Sequence, residues 1–324
     1  MQIKNRIIDR FNPPFMIAEL SGNHKQNFNI LVDMFKAAKD CGCDAVKFQV
    51  YMPEDITIDP GLLPKYKNTY IPEAWLPNLF HICHRVEIIP FASVFSIRAL
   101  NLLEEEGQCP TYKIASFETN HSPLLKAVRA TNKPVFISTG MMNYSDYNYL
   151  ANNIFSPLNA IFMKCVSNYP AEAKDFNLLT IPDIKNQFGF DTGISDHSKG
   201  IGVSIAAVAL GAVAVEKHLT LSKNGCPDAQ FALFPDEMEI LVKECKNAWE
   251  ALGNIDYSIK GDKYHNRSLW VIKDIKQGEL LTSENIGILR PNRGMDAKAY
   301  YSVMGKKARI DILHETSLQN EYIE

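Results

Sequence analysis

The chain has 324 residues, enough for one barrel of roughly 250 residues and a small second module. At 46% hydrophobic and 22% charged it can fill a large core and keep a hydrated surface. A formal net charge of -3 gives no basic field for nucleic acid or an anionic membrane, so neither partner is expected.

The opening MQIKNRIIDRF lacks the apolar core of a secretion signal. The longest apolar stretch, near 205–215, is too short to span a bilayer and is broken by Gly211. Seven cysteines are scattered along the chain and read as reduced thiols of a cytoplasmic protein. Cys41-Gly42-Cys43 is the one close pair, and its spacing is neither a zinc nor a redox motif.

In chain order, short apolar runs predict strands at 15–20, 45–51, 88–94, 112–116, 135–139, 160–166, 192–196 and 213–219. Several are near-continuous hydrophobic runs, as strands buried on both faces should be. Helical periodicity fills most of the gaps. Residues 28–41 place Ile30, Leu31, Met34, Phe35 and Ala38 on one face. Pro53, Pro60, Pro64 and Pro72 break the longest gap, which predicts a loop before a helix near 73–84. Eight strand-then-helix units spell a (β/α)₈ TIM barrel over residues 1–253. An open dinucleotide-binding sheet would carry a glycine-rich loop after its first strand, where this chain has Ser21-Gly22-Asn23-His24. A last helix, 236–252, ends at Gly253. Residues 254–266 read as a polar linker. Residues 267–324 form a small β-rich module with strands near 269–272 and 308–312 and a helical piece near 297–303.

Catalytic groups of such barrels lie at the C-terminal ends of the strands. The polar residues there are Glu19, Lys47, Gln49, Ser93, Lys113, Ser116, Glu118, Ser138, Ser167, Tyr169, Ser195, Asp196, His197 and His218. His197 follows the seventh strand and His218 ends the eighth. Two imidazoles at neighbouring strand ends can hold a divalent transition metal with positions left open. Two histidines that only hydrogen-bond explain the same spacing equally well. His81 and His84 read as surface or packing residues, and His24 lies just past the first strand. A lysine inside a barrel strand faces either the mouth or the apolar helix layer, where an unpaired ammonium is costly. Lys47 and Lys113 are therefore expected to face the mouth. With Ser93, Ser116, Ser138 and Ser195 they make a cradle for phosphate and carboxylate. Glu19 and Glu118 are candidate acid/base or hydroxyl-binding carboxylates.

These residues lie in motifs that resemble the sialic acid synthase family: Ile17-Ala18-Glu19-Leu20-Ser21-Gly22-Asn23-His24, Asp44-Ala45-Val46-Lys47-Phe48-Gln49, Lys113-Ile114-Ala115-Ser116-Phe117-Glu118, Ser138-Thr139-Gly140-Met141, Ser195-Asp196-His197 and Glu216-Lys217-His218. The module after Asn266, with Arg267-Ser268-Leu269, Gln277-Gly278-Glu279 and Leu289-Arg290-Pro291, resembles that family's antifreeze-like (SAF) domain. The resemblance covers nearly the whole chain. It implies condensation of phosphoenolpyruvate with an N-acetylated amino-sugar aldehyde to a nine-carbon 2-keto acid and phosphate. It also implies His197 and His218 as ligands of a divalent metal, manganese before magnesium or cobalt. Lys47, Ser93, Lys113, Ser116, Ser138, Ser167 and Ser195 would bind phosphoenolpyruvate, and Gln49, Tyr169 and Asp228 the sugar. Glu19 and Glu118 would serve as catalytic carboxylates or sugar contacts. Arg290 would reach the active site of a second subunit in a domain-swapped homodimer.

Lys-Ile-Ala-Ser-Phe-Glu, Ser167 before Tyr169, and Pro227-Asp228-Ala229-Gln230-Phe231 look more like pseudaminic acid synthases than N-acetylneuraminate or legionaminic acid synthases. Three features depart from the family pattern: a short segment 60–84, Val94 where many members have Pro, and Arg290-Pro291-Asn292-Arg293-Gly294. Two competing readings are a Schiff-base barrel aldolase using Lys113 or Lys217, and a carbohydrate-binding barrel without catalysis.

Overall fold

A computed structural model describes residues 1–324. The chain forms two compact units, Met1–Gly253 and Asn254–Glu324.

In the first unit eight parallel strands close into a barrel: β1 (Phe15–Glu19), β2 (Ala45–Val50), β3 (Ile89–Val94), β4 (Tyr112–Ile114), β5 (Val135–Ser138), β6 (Ala160–Cys165), β7 (Thr192–Asp196) and β8 (Ala214–His218). β8 pairs with β1, so no edge remains. Each strand is followed by a helix: α1 (Phe28–Asp40), α2 (Leu76–Arg85), α3 (Ile97–Glu106), α4 (Ser122–Ala130), α5 (Tyr144–Asn153), α6 (Thr180–Phe188), α7 (Gly202–Ala209) and α8 (Pro235–Leu252). All eight strands thus lie within the sequence-predicted runs. Two short helical turns, Pro53–Ile56 and Leu63–Lys67, occupy the proline-broken segment before α2. A two-stranded hairpin, Gln2–Ile3 with Arg6–Ile7, precedes the barrel and carries no sequence prediction. It is tied to the barrel by Arg6, whose Nε lies 2.7 Å from Asp44 Oδ1.

Local sequence sets these elements. The side chain of Asn27 accepts from the backbone N–H of Asn29 and Ile30, capping α1. That helix buries Leu31, Met34, Phe35 and Ala38, the face its periodicity marks out. Asn143 and Asp146 form a reciprocal capping box at the start of α5.

Inside the barrel the side chains stack in layers supplied by alternate strands. The lower layer holds Phe15, Phe91 and Phe136 from β1, β3 and β5, with ring centroids 6.0 and 5.6 Å from Phe136. β7 contributes Gly193, two residues before Ser195. A β-carbon there would lie 2.5 Å from Met163 Sδ and 2.7 Å from the Ala214 carbonyl oxygen. The barrel floor is therefore three large rings, with Met163 filling the space beside Gly193, and the strand ends above it are fixed by that packing.

The second unit has its own core of Leu269, Val271, Ile275, Leu281, Ile286, Val303, Leu318 and others. It contains one two-stranded sheet, β9 (Ser268–Val271) with β10 (Ile286–Leu289). The strand expected near 308–312 is reduced to isolated bridges, Ile275 with Ile312 and Ala308 with Ile323. The helical piece appears at Ala297–Ala299 and Tyr300–Val303.

Gly193→Ala should destabilise the barrel by about 1–3 kcal/mol, because the Ala214 carbonyl cannot move aside without breaking the strand. Urea unfolding followed by circular dichroism measures it. An unshifted midpoint would show that the floor has slack.

Candidate active site

The floor of the barrel mouth is ionic. Glu216, central in β8, is buried. Lys113 Nζ donates to both of its carboxylate oxygens, at 3.1 and 2.8 Å. Lys47 Nζ lies 3.7 Å from Glu216 Oε1 and 2.6 Å from Glu19 Oε2. The hydroxyl of Ser195 donates to Glu216 Oε1 at 2.9 Å. Lys47 also donates to Ser93 Oγ at 2.8 Å, and Gln49 Nε2 donates to Glu19 Oε1 at 3.0 Å. Four strands thus bring two ammonium and two carboxylate groups together, out of water. Burial works to raise the Glu216 pKa, but Lys113 and Lys47 outweigh it and hold the carboxyl well below the usual range.

Sequence reasoning expected both lysines in the mouth, and they are there, each on an internal carboxylate. Glu216 lies in the motif Glu216-Lys217-His218, where the resemblance implies no role for it. The signal was available: His218 faces the mouth, and a strand alternates, so Glu216 two residues earlier must face it too.

The rim is imidazole. His197 Nδ1 donates to the Val166 carbonyl at 2.8 Å, and His218 Nδ1 to Asp228 Oδ2 at 2.9 Å. Both acceptors can only accept, so each Nδ1 carries a proton, and Nε2 is the ring atom left to offer a lone pair to a cation. The ring centroids are 5.3 Å apart, at an interplanar angle of 70°. Tyr169 packs on His197 with centroids 4.2 Å apart, and Phe231 closes on His218 at 4.9 Å. Asp228, expected to touch sugar, orients His218. Phe231, named only within a motif, and Cys165, whose Sγ is 3.8 Å from His197 Nδ1, carry no site role from sequence alone.

The remaining residues ring this centre. Ser116 Oγ accepts from the Gly140 N–H at 3.1 Å. A β-carbon at Gly140 would lie 2.3 Å from Ser167 Oγ and 3.0 Å from Ser116 Oγ, so glycine there lets the two hydroxyls approach. Ser138 is buried at the end of β5. Glu118 stands apart from the ionic floor, half-buried in the turn after β4, near His121. Burial raises its pKa. Arg290 is exposed in the second unit.

The outer face of the same strands is ionic as well. Lys217, between Glu216 and His218, points into the helix layer. Its Nζ lies 3.0 Å from Asp196 Oδ2 and donates to the Ser198 carbonyl at 2.6 Å, and both charged side chains are fully buried. The helix layer thus admits a lysine that is paired, in keeping with the cost of an unpaired one. Lys217 is therefore not available in the mouth to form an imine.

No third His, Cys, Asp or Glu completes a metal-binding set with the two histidines. A cation held here would take the two Nε2 atoms from protein and the rest of its shell from substrate and water. The anchored Nδ1 atoms suit that use, since a carboxylate or carbonyl on the far nitrogen fixes the ring and raises its basicity.

The NeuB family model matches residues 34–257, and the SAF domain model matches residues 266–321. The chain is 34% identical over 336 aligned positions to the pseudaminic acid synthase of Helicobacter pylori, covering 96% of this chain and 98% of that one. It is 32% identical to the N,N'-diacetyllegionaminic acid synthase of Campylobacter jejuni, covering 90% and 95%. Among solved structures, the N-acetylneuraminic acid (sialic acid) synthetase of Leptospira borgpetersenii superposes with a TM-score of 0.76 at 30% identity, over 81% of this chain and 92% of that one.

The loop after β1 supports the rim from below. Asn23 Oδ1 accepts from the Asp228 N–H at 3.4 Å. Beside it His24 is fully buried, its Nδ1 accepting from the Gln26 N–H at 3.0 Å. Burial lowers its pKa from 6.5 to about 4, outweighing the smaller opposing effect of the nearby Thr69 backbone. Between those values the unfolded chain takes up a proton that the folded chain refuses. Stability present above 6.5 is thus lost as the pH falls towards 4, by about 3 kcal/mol across the window. Urea midpoints from pH 6.5 down to 4 should fall more steeply for the wild type than for His24→Gln. Equal slopes would mean that His24 titrates freely in the native state.

Proposed function

The chain belongs to the NeuB family, and on that premise we propose that it condenses phosphoenolpyruvate with an N-acetylated amino-sugar aldehyde, giving a nine-carbon 2-keto acid and phosphate. The observation that carries the reading is the ionic floor under two free imidazole nitrogens. Lys47 and Lys113, with Ser93, Ser116, Ser138, Ser167 and Ser195 around them, suit the phosphate and carboxylate of the donor.

Charge arithmetic supports a divalent cation. Lys47 and Lys113 contribute two positive charges, and Glu19 and Glu216 two negative ones. The floor is neutral overall, so it cannot by itself balance a polyanionic donor. A divalent ion held by His197 and His218 supplies the missing positive charge, and manganese is the ion we favour over magnesium or cobalt. When bound, such an ion lends Lewis-acid polarisation to the aldehyde oxygen. The lysines and serines orient the donor so that its methylene carbon faces the aldehyde carbon. The new C–C bond leaves a cationic C2. Water adds there, and phosphate departs with the C–O bonding electrons of the tetrahedral adduct. Glu19, beside Lys47, would take the proton of that water.

For the acceptor we favour a doubly N-acetylated 6-deoxy hexose, as in pseudaminate synthesis, over the legionaminate and neuraminate precursors. Support comes from the run Pro227–Phe231 and from the similarity to the pseudaminic acid synthase above. Tyr169, Phe231 and Gln49 would face the sugar and Glu118 would lie at the edge of its site. No helix is long and apolar enough to cross a membrane, and the seven cysteines are all unpaired. The reducing cytoplasm, where phosphoenolpyruvate is made, suits both.

Incubation with manganese, phosphoenolpyruvate and a panel of N-acetylated hexoses should release phosphate and yield one product heavier by the pyruvyl unit. His218→Ala should lower kcat/KM at least ~100-fold while the circular dichroism spectrum is kept. Full turnover in that variant, or in the wild type with excess chelator, defeats the reading. Arg290, which resembles the arginine that family members deliver across a dimer, supplies a second test. His218→Ala and Arg290→Ala chains should each be inactive alone, yet regain turnover when mixed and allowed to exchange subunits. No recovery would argue against a shared site.

A further inference from the structure

The buried pair behind the site has no part in the reaction as described. Asp196 and Lys217 are register partners on adjacent strands, and neither side chain is exposed. Each is flanked by groups of the site: Asp196 by Ser195 and His197, Lys217 by Glu216 and His218. Their contacts exceed a simple pair. Asp196 Oδ1 accepts from the backbone N–H and the hydroxyl of Ser198, at 2.8 and 2.7 Å. Asp196 Oδ2 accepts from Ser204 Oγ of α7 at 2.7 Å, and Lys217 Nζ donates to the Ser198 carbonyl. His197 is therefore held on both sides by residues tied to the strand that carries His218.

Stability does not call for this arrangement. Well-packed apolar residues in place of a buried ion pair are often neutral or stabilising. What apolar packing lacks is direction. Charged hydrogen bonds fix angles as well as distances, and two rings sharing one ligand need their angle fixed.

We propose that Lys217 and Asp196 are positioning residues that set the mutual placement of the His197 and His218 rings. The cation-holding use of those rings rests on the function proposed above. The placement itself does not, and the two are tested separately.

The variant of choice is Lys217→Met combined with Asp196→Asn. Single changes would strand a buried charge. In the double variant the asparagine oxygen still accepts from Ser198, its Nδ2 can donate to Ser204 Oγ with the sense of that bond reversed, and the cross-strand tie is lost. Histidine-selective ¹⁵N labelling, without metal, reads the rings directly. The signals of His197 and His218 should shift and broaden, while those of the exposed His81, His84, His265 and His314 stay in place. Superposable spectra overturn the proposal. Manganese binding followed by water-proton relaxation should weaken roughly 10- to 100-fold in the same variant. Wild-type affinity there overturns the proposal as well. If wild-type and His218→Ala proteins bind manganese equally, the metal reading fails, and the metal-free spectra still decide on the pair. Should the double variant not fold, Ser204→Ala removes one bond to Asp196 and keeps both charges. It should move the same two signals by less, and unmoved signals count against the proposal.

Discussion

Glu216 is the residue on which the site depends. It is a carboxylate in the middle of a closed barrel, and burial there carries a penalty of several kcal/mol for an unpaired ion. Lys113 answers it with two hydrogen bonds and Lys47 stands 3.7 Å away. The dependence is mutual. Without Glu216, Lys113 would be a buried ammonium with no counter-charge, and it would either lose its proton or draw water into the barrel. Because the carboxylate is already ionised and already bonded, the ammonium groups are held in place before any anion arrives. That is the preorganisation which electrostatic catalysis requires.

Neutrality of the floor has a second consequence. A pocket of bare lysines would bind any phosphate strongly and without discrimination. Here an incoming anion must compete with Glu216 and Glu19 for the same ammonium groups. Only a ligand that also gains contacts at the rim, near the histidines and the aromatic wall of Tyr169 and Phe231, recovers the loss.

Much of this was legible in the sequence, for identifiable reasons. The eight strands announced themselves because parallel strands buried on both faces are apolar throughout. The mouth-facing lysines followed from the cost of an unpaired ammonium elsewhere. Three features were not legible. Glu216 was hidden by its neighbours, since Val-Glu-Lys-His offers charge to both faces and only the partners across the barrel say which is which. The resemblance places Asp228 at the site but does not give its bond to His218, since it lies in a loop ten residues further on and no periodicity links a loop residue to a strand. The strand expected at 308–312 has the right residues, but a small unit with ten fully buried core residues satisfies its backbone through scattered bridges instead of a ladder.

The ends of β7 and β8 are unusual for barrel strands in carrying polar groups on both faces. A strand with one apolar face resists a one-residue slip because the slip would expose that face. Ser195-Asp196-His197 and Glu216-Lys217-His218 have no apolar face to defend, so something else must define their register. Opposite charges do so. A slip of one residue in β8 would turn Lys217 towards Lys113 and Lys47, and Glu216 towards Asp196. Two attractive pairs would become two repulsive ones, in surroundings with little water to screen them. The alternation of Glu and Lys along β8, against Lys113 on one side and Asp196 on the other, thus encodes the register that apolar residues encode lower in the barrel.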